Sequence, residues 1–314
     1  MANNTHLRRP KKSSGGARFT VVTFVVLIVV ALCYLGYTYL APMLGIGLTE
    51  TGSETRQPVT LDGEMQLHVI DVGQGDSTLI MSKDGIVLVD AGPGSAEDSL
   101  VEYLKDVGIT TIDYAIFTHP DEDHIGGADV VINNFEVKNV IMPNATKTTK
   151  TFEKMIEAIE QSNANVIEAT SGASYTLGDI AFRILAPNKA SYDSTNNYSV
   201  VVKLTYGNNT FMLTGDAESE SESEILAKYP ASELRADFLK VGHHGSSTST
   251  STAFLTAVSP SIASISCGED NKYNHPHRET IEKLQGANIK VYRTDLLSTI
   301  VFVCDGNTIS VVEK

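Results

Sequence analysis

Three cysteines in 314 residues are too few for a disulfide framework. Cys33 lies in an apolar run, which leaves Cys267 and Cys304, expected as two buried thiols or, alternatively, as a single bond. No internal repeat is evident, which speaks against a solenoid. Basic side chains are scarce beyond residue 50: residues 51–314 hold 19 of them against 37 acidic ones, a balance of −18 within a formal total of −14. Such a domain repels phosphate backbones unless a local patch or a bound metal reverses the field. That weighs against an extended nucleic-acid groove. It leaves room for a phosphate ester held at a dication. Histidine is absent from the whole stretch between His124 and His243.

What is present begins with charge of one sign. Residues 1–18 carry Arg8, Arg9, Lys11, Lys12 and Arg18 and no acid. Residues 19–48 follow without a charge, and about 20–25 apolar residues suffice to cross a bilayer. Tyr34, Tyr37 and Tyr39 cluster toward the far end, as interfacial aromatics do. The basic residues ahead of the run predict a cytoplasmic N-terminus, a single-pass anchor in the cell membrane and an extracytoplasmic domain. A cleaved signal peptide is the alternative. Residues 49–63 read as a polar linker, and residues 64–314 as the folded domain. The 42% apolar and 20% charged composition of the whole chain suits a globular protein.

From residue 64 short strands come first: 65–71, 77–81 and 86–90, separated by glycine-containing turns. A helix is expected over 96–107, an apolar strand over 114–118, and helix, strand, helix at 128–132, 140–142 and 152–161. Strands at 180–185, 199–206 and 210–214 follow, with Gly207-Asn208-Asn209 as a hairpin turn. Helix 219–228, strand 237–241, helix 252–258, strand 261–266, helix 278–285, strand 290–292 and hairpin 299–312 complete the chain. Strands then helices, twice over, predict an α/β domain of two sheets sandwiched between helices.

The chemistry concentrates in His119-Pro120-Asp121-Glu122-Asp123-His124, where a strand opens into a loop. Two imidazoles and two carboxylates on one short loop supply N and O donors for Zn²⁺ or a similar dication. Gly126 and Gly127 are read as the tight turn into the next helix. Asp216 ends the apolar segment Phe211–Gly215; its bland reading is the N-cap of the acidic helix that follows. His243 and His244 end another apolar strand between Gly242 and Gly245. Asp71-Val72-Gly73-Gln74-Gly75-Asp76 reads as a turn whose backbone or Gln74 could line a pocket. Asp90 could support the centre from behind. Lys240 could meet a substrate phosphate or be an ordinary surface lysine. His275 could face substrate; with His277 it could equally form a surface turn.

In this order the motifs resemble the metallo-β-lactamase superfamily, whose usual signature is His-x-His-x-Asp-His. With Asp121 at the second ligand position, the chain is similar to one branch, the hydrolase domain of the ComEC competence proteins and their stand-alone relatives. That branch looks like Asp71–Asp76, Asp90-Ala91-Gly92, His119–Gly127, Leu213–Asp216, His243–Ser246 and Asn271–Pro276. The resemblance covers about residues 65–312. It implies an αββα sandwich with a one- or two-metal centre at the sheet edge. It further implies that His119 and Asp121 hold a first metal, Asp123 and His124 a second, and that Asp216 bridges them. His243 would be the late ligand, and His244 would hydrogen-bond substrate. The superfamily usually supplies another histidine to the first metal. Here Asn196, Asn197, Ser199 or water would take its place. Asp121 makes Mn²⁺ a competitor to Zn²⁺.

The expected activity is phosphodiester hydrolysis, by a phosphodiesterase or nuclease. A bound dication lowers the pKa of water from about 15.7 toward 7 and makes hydroxide available. Asp123 would orient that nucleophile, and His244 or His275 would protonate the leaving group or bind phosphate. The substrate is expected to be DNA, a nucleotide or a cell-wall phosphodiester. Carboxylic-ester or lactam hydrolysis on the same centre, and a non-catalytic module with a structural metal, are the alternatives.

Overall fold

The computed structural model describes residues 64–312. The expected basic N-terminus, membrane anchor and linker lie outside the described residues. Among the described residues no helix is long and apolar enough to cross a membrane.

Among the described residues, fifteen strands fall into two mixed sheets. The first contains β1 (Met65–Val69), β2 (Thr78–Ser82), β3 (Gly85–Val89), β4 (Thr111–Ile116), β5 (Glu136–Met142), β6 (Asn165–Glu168), β14 (Ile300–Cys304) and β15 (Ile309–Val311). Their order is β15-β14-β1-β2-β3-β4-β5-β6, parallel from β3 to β6. The second contains β7 (Ser174–Leu177), β8 (Ile180–Ala186), β9 (Val201–Tyr206), β10 (Asn209–Leu213), β11 (Phe238–Lys240), β12 (Ile262–Ile265) and β13 (Lys290–Arg293). Their order is β13-β12-β11-β10-β9-β8-β7, parallel from β10 to β13.

Three apolar layers result from the two-residue period of the strands. Between the sheets, Leu67, Ile80, Val87, Ile116 and Ile141 meet Phe182, Val202, Phe211 and Phe238. Phe238 packs against Phe211 and Phe302, with ring centroids 5.6 and 4.9 Å away. Truncating it to Ala costs about 3–5 kcal/mol. On the outer face of the first sheet lie α1 (Glu97–Asp106), α2 (Glu122–Ile125), α3 (Ala128–Asn134) and α4 (Lys150–Gln161). Their Leu100, Leu104, Val131 and Met155 cover Leu79, Leu88, Ala115 and Val140. On the outer face of the second lie α5 (Ser219–Lys228), α6 (Ala231–Leu234), α7 (Thr252–Val258) and α8 (Arg278–Gly286), while α9 (Thr294–Leu297) connects β13 to β14. Ile225, Phe254, Val258 and Leu284 from this layer cover Met212, Leu239 and Ala263. Because both faces are covered, β1 and β2 are buried along their whole length.

Most expected elements appear within a few residues of their forecast ends. Strands β6 and β7 were not expected from the sequence. Each is a four-residue strand at the edge of its sheet with no buried residue: Asn165–Glu168 shows no alternation, and Ser174–Leu177 alternates over too few residues to mark a strand. Cys267 and Cys304 are free and buried, each in a different apolar layer.

The two parallel blocks place the residues of interest. Loops leaving the carboxyl ends of β3, β4, β10, β11 and β12 carry Asp90, His119–His124, Asp216, His243–His244 and Ser266 respectively. Ligands of open α/β sheets bind outside the carboxyl ends of the strands.

Candidate metal centre

Gly126 and Gly127 form the expected turn into α3, both at negative φ. Gly126 also serves close packing: a Cβ there would sit 2.1 Å from the Gly94 amide nitrogen. Gly75 serves the same end on the other side, where a Cβ would lie 2.5 Å from the Asp123 carbonyl oxygen. The neighbouring Asp76 amide donates to that carbonyl at 3.1 Å, which ties the Asp71–Asp76 loop to the His119–His124 loop.

The histidines are oriented from behind. The His124 Nδ1–H donates to Asp90 Oδ2 at 2.8 Å, and Asp90 also accepts from the Thr118 amide and hydroxyl, each at 2.7 Å. His244 Nδ1 lies 3.0 Å from the Ser266 carbonyl, which can only accept, and 3.2 Å from Asp76 Oδ1. Both rings therefore present Nε2 to the centre. His119 Nδ1 faces the hydroxyls of Thr118 at 3.1 Å and Ser199 at 3.3 Å. Asp90, His243 and His244 all hold positive φ, at 59°, 51° and 53°. Non-glycine residues persist in that region only where their surroundings fix them, commonly at functional sites.

Asp216 is the hub. Its Oδ1 lies 3.3 Å from His124 Nε2; its Oδ2 lies 3.5 Å from His244 Nε2, 3.7 Å from His243 Nε2 and 4.0 Å from His119 Nε2. Asp123 Oδ2 lies 3.3 Å from His244 Nε2. One donor atom each from Asp123, His124, Asp216 and His244 fall within 4.8 Å of one another. Three of those buried atoms, His124 Nε2, His244 Nε2 and Asp216 Oδ1, have no hydrogen bond of acceptable geometry. Buried polar atoms are rarely left so. Two imidazole nitrogens and two carboxylates are a donor set that a divalent cation satisfies, so the residues fit the ion that the sequence implies.

Without an ion the same groups balance one another. Burial would lower His124 and His244, but Asp216 with Asp90 or Asp76 outweighs it and raises both well above the usual imidazole value. Burial would raise Asp216, but His244 and His124 hold it well below the carboxylate range. Asp123, against the pull of burial, is held at about 2 by His244 and His124. His119 falls to about 4 through burial and the neighbouring His124. His275 also falls to about 4, through burial and then His244 and His243, so it is neutral at pH 7.

The expected residues fall into two shells. The structure places His244, rather than His243, inside the inner group; His243 stands at its rim, partly exposed, with Nδ1 3.1 Å from the Thr248 hydroxyl. Gln74, Asp121, Asp123, Asn196, Asp216, His243, His244, Tyr273 and His275 line a cleft of about 220 Å³. Asp76 is buried behind His244 and pairs with Lys240 at 2.7 Å. Lys240 is thus neither a surface lysine nor a side chain facing the cleft; its ammonium is committed to Asp76 and the Val241 carbonyl. Asp71 is exposed and accepts from the Gly73 amide, closing a local turn. Asn197 is buried and its Oδ1 accepts from the amides of Glu218 and Ser221; Asn196 faces the cleft instead. Asn197, not Asp216, therefore takes the helix-start role at α5. Lys147, which no motif marked, lies 2.8 Å from Asp121 Oδ1. Only the fold brings its loop there.

The chain matches the family described as "Metallo-beta-lactamase superfamily" over residues 70–269. It is 35% identical over 260 residues to "ComE operon protein 3" of Bacillus subtilis (strain 168), covering 77% of this chain and 33% of the relative. It is 33% identical over 224 residues to "Recombination protein 2" of Haemophilus influenzae, covering 70% of this chain and 26% of the relative. It thus spans about a third or less of the length of these curated relatives. Among solved structures, the metallo-beta-lactamase fold protein YhfI from Bacillus subtilis superposes with a TM-score of 0.52 at 16% identity, over 77% of this chain and 99% of that one. The "CmlA beta-hydroxylase E377D mutant" superposes with a TM-score of 0.51 at 11% identity, over 76% and 53%. The latter shows that the fold does not by itself fix the reaction. Sequence identity, the fold and the histidine–aspartate cluster together decide membership: the chain belongs to the metallo-β-lactamase superfamily, among the relatives of the ComEC-like competence proteins.

Proposed function

We propose that the domain is a metal-dependent phosphodiester hydrolase. The observation that carries this reading is the convergence of three unsatisfied buried atoms, His124 Nε2, His244 Nε2 and Asp216 Oδ1, beside an open cleft. A bound Zn²⁺ or Mn²⁺ ion, singly or as a pair, would act as a Lewis acid and lower the pKa of a bound water toward neutrality. His124, Asp216, His244 and Asp123 would hold it, with His119, Asp121 and His243 at the margin.

The chain's own groups then divide the work. Asp123, ionised and on the cleft wall, accepts a hydrogen bond from the attacking water and orients it. His275, neutral at pH 7, has a buried Nδ1 with no partner, and Gln74 has a buried Nε2 likewise. Both line the cleft, and the Gln74 amide nitrogen can donate to a phosphate oxygen. His275 can exchange a proton near the leaving group. The carboxylate-rich donor set and relatives whose names speak of competence and recombination favour a phosphate diester, from DNA, a nucleotide or a cell-wall polymer, over a lactam. In this reading residues 19–48 anchor the domain to the outer side of the cell membrane. A reporter fused after Lys314 that is active only in the cytoplasm would overturn that topology.

Elemental analysis of the purified protein, paired with turnover of bis-(p-nitrophenyl) phosphate and of a chromogenic β-lactam, tests the activity. Chelator-sensitive phosphodiester turnover restored by Zn²⁺ or Mn²⁺ supports it. Turnover of the lactam alone moves the reading to the alternative ester chemistry. Bound metal without turnover of either makes this a binding module.

A further inference from the structure

We propose that Lys147 is a specificity-determining residue of the centre. Its ammonium neutralises Asp121 and competes there with a cation. The chain then takes one divalent ion tightly and a second only weakly.

The two sides of the centre are built differently. Asp123, His124, Asp216 and His244 converge within 4.8 Å, and three of their donor atoms are buried without a partner. Asp121 is not in that group; its Oδ1 is 2.8 Å from Lys147 Nζ. Outside that group too, His119 keeps Nε2 4.0 Å and His243 keeps Nε2 3.7 Å from Asp216 Oδ2. No further histidine exists between residues 124 and 243 to complete the shell. A point charge therefore stands where a second ion would need a carboxylate. The pair is partly exposed, with side chains 34% and 26% accessible, so Lys147 can be displaced rather than locked. Asp121 itself lines the cleft, which no lysine or arginine lines among the described residues.

The test is metal titration of the full chain and its variants, by calorimetry and equilibrium dialysis with Mn²⁺ and Zn²⁺ separately, without an activity readout. Wild type should bind one ion tightly and a second more weakly. Lys147→Met should tighten the second ion by roughly fivefold, the scale of a partly exposed ion pair. It should leave the first unchanged, which also reports that the variant is folded. Lys147→Arg, which keeps the charge, should behave as wild type, and Asp121→Asn should abolish the difference between wild type and Lys147→Met. Two equally tight ions in wild type, or no change at the second ion in Lys147→Met, would overturn the proposal. It rests on reading the inner cluster as a metal centre. Wild type that binds no divalent ion would sink that reading together with this one, whereas one tight ion with a Lys147-independent second would sink this one alone.

Discussion

The Lys240 ammonium lies 2.7 Å from an Asp76 carboxylate oxygen, across 164 positions of sequence, with both side chains almost sealed from water. The pair joins the first loop of the domain to the end of β11, directly behind His244. Removing one member of a buried ion pair leaves the other uncompensated and costs about 3–5 kcal/mol. Lys240→Met should destabilise by that order and Asp76→Asn by somewhat less, with the double variant recovering part of the sum. Denaturant unfolding of the four proteins reads the coupling. Additive losses would show that the two charges do not support each other.

Asp90 should act on metal affinity through His124. Asp90→Asn keeps the shape but weakens the bond that fixes the Nδ1 proton. Loss of such a supporting partner lowers metal affinity about 10–100-fold. His124→Gln should lose the ion altogether. Metal affinity that survives Asp90→Asn unchanged would assign Asp90 to holding the Thr118 turn alone.

Metal uptake should release protons. In the metal-free protein His124 and His244 are raised well above the usual imidazole value, so they carry protons at neutral pH that an ion must displace. Apparent affinity should therefore rise with pH until those raised values are passed. Calorimetry in two buffers of different ionisation enthalpy counts the protons. A buffer-independent heat would contradict the assignment. The sign for metal-free stability is opposite. Groups raised on folding contribute fully below their unfolded value of about 6.5, and that contribution is lost as pH climbs through the raised values.

Two glycines should respond in opposite directions. Gly126→Ala forces a methyl group against backbone at 2.1 Å and should cost about 2 kcal/mol or more. Gly286→Ala, at the end of α8 with open space around it, should be neutral or gain up to about 1 kcal/mol. Thermal melts decide. A harmless Gly126→Ala would mean that the Gly94 loop yields easily.

The ligand loops were legible in sequence because they pair unusual chemistry with position: His119–His124, Asp216 and His243-His244 each follow an apolar strand. The sandwich was legible because β2, β3 and β10 carry short apolar runs and β1 alternates. Edge strands β6 and β7 were not, since four residues without a buried side chain are too few to show a period. Nor could sequence rank His244 over His243. Adjacent residues have the same local context, and only the backbone turn at φ near 50° decides which ring enters the centre. Lys147 and Lys240 were misread or missed for the same reason. A lysine's partner is set by chain crossings far away in sequence.

Donors to the inner group come from both halves of the sandwich, Asp123 and His124 from the first sheet, Asp216 and His244 from the second. An ion held there is a clasp across the interface between two layers that already meet through apolar contacts and the Asp76–Lys240 pair. Each half would supply an incomplete shell by itself, so the ion favours the docked state. An ion at one hundred times its dissociation constant would add about 2.7 kcal/mol to the folded state. The availability of metal would then govern how much of this protein survives as well as how fast it works.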